Sequence, residues 1–307
     1  MHFGYAQSSS GLNCKVAQNI CPNHDIKFYL YTRNYPTDGI ELNVANCNEL
    51  KRQLQECKDK MFKFLVHGDV GYRHDEFNTE MRSALLKAGD YCIVSVDWSP
   101  LSQVNCFNFS ARNTHVVGNC TAYTIDQIVQ CAKIPLNKTA NLIGYSSGAQ
   151  ATAFVQQNLK TGEEVESIVA LDPSLFPLEL FGTSDLSQQL DPSDAKWVDV
   201  HHTAAGNRSQ IEPRGHSDFY WDNGQEQPGC GLIDLNIFYP YLCSHLSILE
   251  YYPRSFSGRY RARKCQYNGN LPLVNCSSKK YFPAGWPVPF GTAGVYQVSL
   301  DSPTESN

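Results

Sequence analysis

The residues Gly144-Tyr145-Ser146-Ser147-Gly148 fit the pattern G-x-S-x-G. The apolar run Asn141-Leu142-Ile143 before them reads as a strand, and residues 147–159 after them as a helix. That context is what a nucleophile elbow requires. A sharp strand-to-helix turn holds a serine in strained backbone and exposes its hydroxyl. The flanking glycines keep a Cβ out of the neighbouring strand and helix. The helix N-terminus favours negative charge developing beside it. Ser146 is thus the candidate nucleophile. Ser147, one step off the pattern, is a candidate oxyanion-hole donor through its backbone N–H. The competing reading is an ordinary βα turn that uses glycine for tightness.

A serine hydroxyl needs a base, and the base needs an orienting acid. On such a scaffold the chain order is serine, acid, histidine. Ile168-Val169-Ala170-Leu171-Asp172-Pro173 places Asp172 at the end of an apolar strand. The alternative is that Asp172 only caps a turn before Pro173. Asp191, Asp194 and Asp199 compete with it, but none directly follows an apolar strand. For the base, His201, His202, His216 and His245 all lie downstream. Position alone does not choose among them.

These residues need a scaffold, and short apolar runs supply one. Residues 26–31, 62–66, 92–96, 141–145, 165–171 and 196–200 read as strands, the second ending at His67-Gly68. Residues 77–88 have helical spacing, with Met81, Leu85 and Leu86 on one face, and 122–132 also read as a helix. Alternating strands and helices predict an α/β fold, a mainly parallel sheet covered on both faces. Its catalytic residues then sit just past the carboxyl ends of strands. From about Cys265 the chain is rich in Pro, Gly and aromatics. That segment reads as a disulfide-tied part of one domain spanning residues 1–307, not as a second domain.

Composition narrows the class. Thirty Asp and Glu against 25 Lys and Arg leave a net charge of −5, which excludes the basic footprint of a nucleic-acid binder or a polybasic membrane anchor. Hydrophobic residues make up 42%, enough for a sizeable core in 307 residues. No run is long and apolar enough to span a bilayer. The cysteines number 12, with no C-x-x-C pair, so disulfides in an oxidising compartment are favoured over metal sites. Cys47–Cys57 and Cys120–Cys131 are the pairings suggested by proximity. Five glycosylation sequons, at Asn108, Asn119, Asn137, Asn207 and Asn275, point to the same secreted location. Met1-His2-Phe3-Gly4 leads into polar residues, as in a mature chain given a start Met.

From about residue 26 to 285 the chain resembles the animal pancreatic-lipase family of α/β-hydrolases, and within it the short-lidded phospholipase A1 branch. The matching pieces are Leu65-Val66-His67-Gly68, Val96-Asp97-Trp98, Gly144 to Gly148, Leu171-Asp172-Pro173 and Val198-Asp199-Val200. Further on come His202-Thr203, Gly215 to Tyr220, Gln227-Pro228-Gly229-Cys230 and Cys243-Ser244-His245-Leu246. Each is short, and their shared order is specific. The resemblance implies Ser146, Asp172 and His245 as the triad, and structural roles for His202 and His216. It places the second oxyanion donor at the backbone N–H of Asp69, after His67-Gly68. Here the chain departs from the family, which usually has an apolar residue at this position. A carboxylate there would repel a developing oxyanion unless it turned away or were paired.

The resemblance also implies a lid between bonded Cys230 and Cys243, and a second bond between Cys265 and Cys276. The lid residues Gly231, Leu232, Ile233, Leu235, Ile237, Phe238, Tyr239 and Leu242 are mostly apolar, suited to lipid contact. This lid and the loop Thr203 to Glu212 are short, which in the family goes with phospholipase A1 activity. The substrate class implied is a phospholipid or other lipid ester at a membrane or lipid surface. Triacylglycerol or general ester hydrolysis, and a non-catalytic lipid-binding role like that of yolk proteins, are the rival functions. No cofactor is implied for catalysis. Asp191 and Asp194 match a segment that holds structural calcium in the digestive enzymes, though a solvated turn reads equally well. A counterpart of the C-terminal β-sandwich of those enzymes is not expected in the sequence that follows Cys276.

Overall fold

Phe62–Val66 and Asn141–Tyr145 are buried at every position. Strands covered on both faces read in this way, as continuous apolar runs without alternation. The computed structural model describes residues 14–175, 189–235, 241–287 and 291–300. Their strands begin with β1 (Lys27–Tyr31), β2 (Ile40–Glu41), β3 (Phe62–Val66), β4 (Cys92–Asp97), β5 (Asn141–Tyr145) and β6 (Ser167–Leu171). They continue with β7 (Val198–His202), β8 (Ser217–Trp221), β9 (Arg261–Tyr267), β10 (Val274–Asn275), β11 (Tyr281–Pro283) and β12 (Gly294–Ser299). The helices are α1 (Cys47–Gln53), α2 (Glu76–Ala88), α3 (Phe107–Gln127), α4 (Leu136–Thr139), α5 (Ser147–Gln156), α6 (Gly231–Asp234) and α7 (Leu242–Ser255).

One sheet carries them all, in the order β10-β9-β12-β8-β7-β6-β5-β3-β4-β1-β2, with β11 on β9. The strands from β4 across to β12 run parallel, and antiparallel strands close both edges. Side chains alternate between two cores. Phe62, Phe64, Leu142 and Ile168 pack on one side under α3 and α5. Leu65, Ile143, Tyr145 and Leu171 pack on the other, with Phe77 and Met81 of α2 and Ile248 and Tyr252 of α7. A mostly parallel sheet wrapped in this way, with a tight turn between β5 and α5, is the α/β-hydrolase fold.

Helix α3 is longer than the predicted 122–132: it starts at Phe107, and Ile128–Ala132 continue it as a π turn. Its buried face mixes Val116, Val117 and Ile125 with polar Ser110, Thr121 and Thr124, which hid the period. Ser110, Thr121 and Thr124 turn their hydroxyls back onto the carbonyls of Cys106, Val117 and Cys120. Gly118 lets α3 press on α5, since a Cβ there would lie 2.4 Å from Phe154 Cβ.

The disulfides correct two pairings. Cys47 is bonded to Cys131 and Cys57 to Cys92, while Cys120 is bonded to Cys21 and Cys14 to Cys106. Cys120 and Cys131 lie on one helical run, and at about 1.5 Å rise per residue they stand about 16 Å apart. A disulfide needs Cα atoms within about 7 Å. Cys47 and Cys57, on α1 and the 3-10 turn that continues it, fail for the same reason. Cys230–Cys243 and Cys265–Cys276 are also bonded.

Candidate active site

Ser146 sits between β5 and α5 with φ 54° and ψ −124°. That is left-handed backbone, costly for a side chain, of the kind stored at functional sites. Packing enforces it. A Cβ on Gly148 would lie 2.2 Å from the carbonyl oxygens of both Val66 and His67, and one on Gly144 would lie 2.5 Å from Ala149 Cα. Only glycine lets the start of α5 approach the end of β3 so closely. The Ser146 N–H also donates to Leu171 O at 3.0 Å, which ties the turn to β6.

Asp172 follows β6 and His245 lies in the first turns of α7. The tertiary fold joins them to Ser146. His245 Nε2 is 2.9 Å from Ser146 Oγ, and His245 Nδ1 is 2.5 Å from Asp172 Oδ2. Since Asp172 accepts at Nδ1–H, Nε2 carries the lone pair that faces the serine hydroxyl. Asp172 Oδ1 accepts from Thr203 N–H at 2.6 Å, Ala204 N–H at 3.1 Å and Ser209 Oγ–H at 2.7 Å. Burial alone would push this carboxyl up. The bonds from His245, Thr203 and Ser209 outweigh it and hold the group below its ordinary range, so the acid stays ionised.

The rival histidines meet other partners. His201 lies between Asp199 Oδ2 and the Trp221 indole N–H. His202 lies between Asp218 Oδ1 and Gln210 O. His216 accepts from Val198 N–H and stacks on Trp197. Asp191 and Asp194 cap a 3-10 turn, each taking a backbone N–H of the same turn.

Ser146 and His245 open onto a cavity of about 600 Å³. Asp69 and Ser147 line it too, and their backbone N–H groups have no acceptor among the described residues. A Cβ on Gly68 would lie 2.8 Å from Ser146 Cβ, so the turn carrying Asp69 runs against the serine. Val70, Val104, Phe107 and Leu246 form an exposed apolar rim. Of the expected lid, Gly231 begins α6, Ile233 and Leu235 are exposed, and Leu242 reaches the cavity. Ile237, Phe238 and Tyr239 lie outside the described residues, as does the side chain of Leu232.

Three contributors were not read from the sequence. The His67 ring pins the Gly68-Asp69 turn: its Nδ1 bonds Gly68 O at 2.8 Å and its Nε2 accepts from Trp98 N–H at 3.1 Å. Ser209 was read as part of the short loop Thr203 to Glu212 and of its sequon, yet its hydroxyl donates to Asp172 Oδ1. Arg208 lines the cavity. The adjacency of His67-Gly68 to the oxyanion position was the one available signal for the first.

Comparison with known proteins identifies the family. The family model described as Lipase matches residues 5–289. Phospholipase A1 1 of Vespa affinis is 30% identical over 268 residues, covering 82% of this chain and 76% of that protein. Phospholipase A1 of Vespa crabro is 32% identical over 250 residues, covering 76% and 78%. Pancreatic lipase-related protein 2 of Sus scrofa is 28% identical over 249 residues, covering 75% of this chain and 51% of that protein. The chain belongs to the lipase family.

Proposed function

We propose that this protein is a secreted phospholipase A1 that hydrolyses the sn-1 acyl ester of glycerophospholipids. The observation that carries the reading is the Ser146–His245–Asp172 line opening into an apolar-rimmed cavity. His245 Nε2 takes the Ser146 proton as Oγ attacks the ester carbonyl. Asp172 holds the imidazole tautomer and stabilises the imidazolium. The backbone N–H groups of Asp69 and Ser147 receive the negative oxygen of the tetrahedral intermediate. The lysolipid leaves with the proton from His245, and water then releases the fatty acid from the acyl-enzyme by the same steps in reverse. The exposed apolar rim and Ile233 and Leu235 suit contact with a lipid surface. The names of the Vespa relatives support the choice of phospholipid.

Parallel assays on phosphatidylcholine, triacylglycerol and a short-chain ester test the substrate. The expected result is fatty acid released from the sn-1 position of the phospholipid, faster than from triacylglycerol. Release from sn-2, or preference for triacylglycerol, would overturn the A1 assignment. A fluorophosphonate probe that leaves folded protein unlabelled would favour a lipid-binding role instead.

Secretion and glycosylation belong to the same reading. The six disulfides support it. Asn108, Asn137, Asn207 and Asn275 are exposed, while Asn119 is half-buried and donates to Asn19. Intact mass before and after glycosidase treatment of secreted protein reads this out; an unchanged mass would remove the glycans.

Catalysis in this scheme uses no cofactor. Structural calcium at Asp191 and Asp194 is part of the proposal. Burial and the charge of Asp191 push the Asp194 carboxyl up to about 7, a cost that a divalent cation would relieve. Among the described residues no third acidic, histidine or cysteine side chain joins them, so carbonyls and water would complete the shell. Calcium at 100 times its Kd would add about 2.7 kcal/mol of stability. A melting temperature indifferent to calcium and chelator would remove the ion.

A further inference from the structure

Asp69 is the residue at the oxyanion position whose side chain departs from the family pattern, and its surroundings assign it a form. Its Oδ1 is buried and has no hydrogen-bond partner. The Ser147 hydroxyl is likewise buried and unpartnered. The carboxyl stands near the hydroxyls of Ser110 on α3 and Ser147 on α5, the His67 ring after β3 and the His245 ring on α7.

None of these is a fixed cation. His67 meets the Gly68 carbonyl at Nδ1 and the Trp98 N–H at Nε2, and the carboxylate nearest that nitrogen is Asp97, at 3.8 Å, rather than Asp69. His245 awaits the serine proton at Nε2 and is neutral before the reaction. Arg208 lines the same cavity from the loop after β7, and its charge is felt at Tyr145. A buried carboxylate without a paired cation is strongly disfavoured against its neutral acid. Burial raises the Asp69 carboxyl accordingly.

We propose that Asp69 works as the neutral acid, and that its carboxyl O–H donates a hydrogen bond into the oxyanion hole beside the backbone N–H groups of Asp69 and Ser147. The inference rests on the serine-esterase reading above and adds a catalytic residue to it. The proton stays on Asp69 throughout, so no bond is made or broken there. A neutral carboxyl in an apolar site is an effective donor to a developing oxyanion, as ketosteroid isomerase illustrates. It also removes the repulsion that a carboxylate would impose. The chemical consequence is directional. As pH rises and the acid ionises, the donor is lost and a negative charge takes its place, so turnover falls on the alkaline side.

The test is the pH dependence of kcat, measured by pH-stat titration on a monomeric short-chain ester for wild type, Asp69→Asn and Asp69→Ala. Circular dichroism and melting temperature identify folded variants. Wild type is expected to lose about tenfold per pH unit on an alkaline limb. The amide of Asp69→Asn keeps a donor and cannot ionise, so that limb disappears. Asp69→Ala has no donor and is expected to run about 100-fold below Asp69→Asn at neutral pH. The Asn profile alone suffices should the Ala variant not fold. Wild-type and Asn profiles of the same shape would overturn the proposal, as would equal neutral rates for folded Asn and Ala variants. So would a wild-type rate that climbs with pH while Asn stays flat, since the carboxylate would then be the working form. Active wild type with any of these outcomes refutes only the Asp69 role. Inactive wild type that resists a fluorophosphonate probe refutes the esterase reading, and this role with it.

Discussion

Ser146→Ala is expected to lower kcat on any ester substrate by about 10⁶-fold and to abolish fluorophosphonate labelling. No other described hydroxyl stands 2.9 Å from His245 Nε2, so no residue takes over the attack. Ser146→Gly should be as inactive and yet more stable than Ser146→Ala. The φ of 54° with ψ −124° belongs to the turn position that glycine favours, and a Cβ there is strained. The difference expected is about 1 kcal/mol or more, read from denaturant midpoints. Residual labelling of the Ala variant would move the nucleophile elsewhere. Equal stability of the two variants would show that the elbow stores no strain at Ser146.

Asp172→Asn is expected to cost about 10⁴-fold in kcat while leaving the protein folded. The reason is local. Three donors, from Thr203, Ala204 and Ser209, converge on Oδ1, so the introduced amide must present its oxygen to them. Its NH₂ then faces His245 Nδ1, which must become an acceptor. The proton moves to Nε2 and points at Ser146, and the base no longer has a lone pair for the serine hydroxyl. The acid also ties stability to pH. Its carboxyl is held below the unfolded value, so its contribution is full at neutral pH and is lost as pH falls through its folded value. Wild-type stability should therefore decline in acid more steeply than that of Asp172→Asn, measured by denaturant titration at several pH values. A variant losing less than tenfold in kcat would place the orienting acid elsewhere.

The elbow was legible in the chain because its constraints are local. Two glycines around a serine, a strand before and a helix after are consequences of backbone sterics within a dozen residues. Asp172 was legible for a similar reason, as the polar residue ending an apolar strand. Strands β3 and β5 matched their predicted bounds because burial on both faces leaves continuous apolar runs. Helix α3 was half missed because its buried face satisfies polar side chains with its own carbonyls. The disulfides suggested by proximity failed because neighbours along a helix are kept apart by its rise.

The base shows where local information stops. His201, His202, His216 and His245 were equivalent by position, and family resemblance rather than spacing singled out His245. What separates them is the partner that each ring meets. Three find acceptors or donors within β7, β8 and the loops around them. Among the described histidines only His245, carried by α7 on the same sheet face as α2, stands between Asp172 and Ser146. The lone Asp69 is the same case in reverse: its type was visible at once, but whether it carries a charge depends on burial and on which groups surround it. Sequence by itself determined the continuous apolar strands and the elbow around Ser146, whose requirements act through neighbouring bonds. Tertiary structure alone decided the distances among Ser146, His245 and Asp172 and the surroundings of Asp69, because both depend on groups that the chain keeps far apart until it folds.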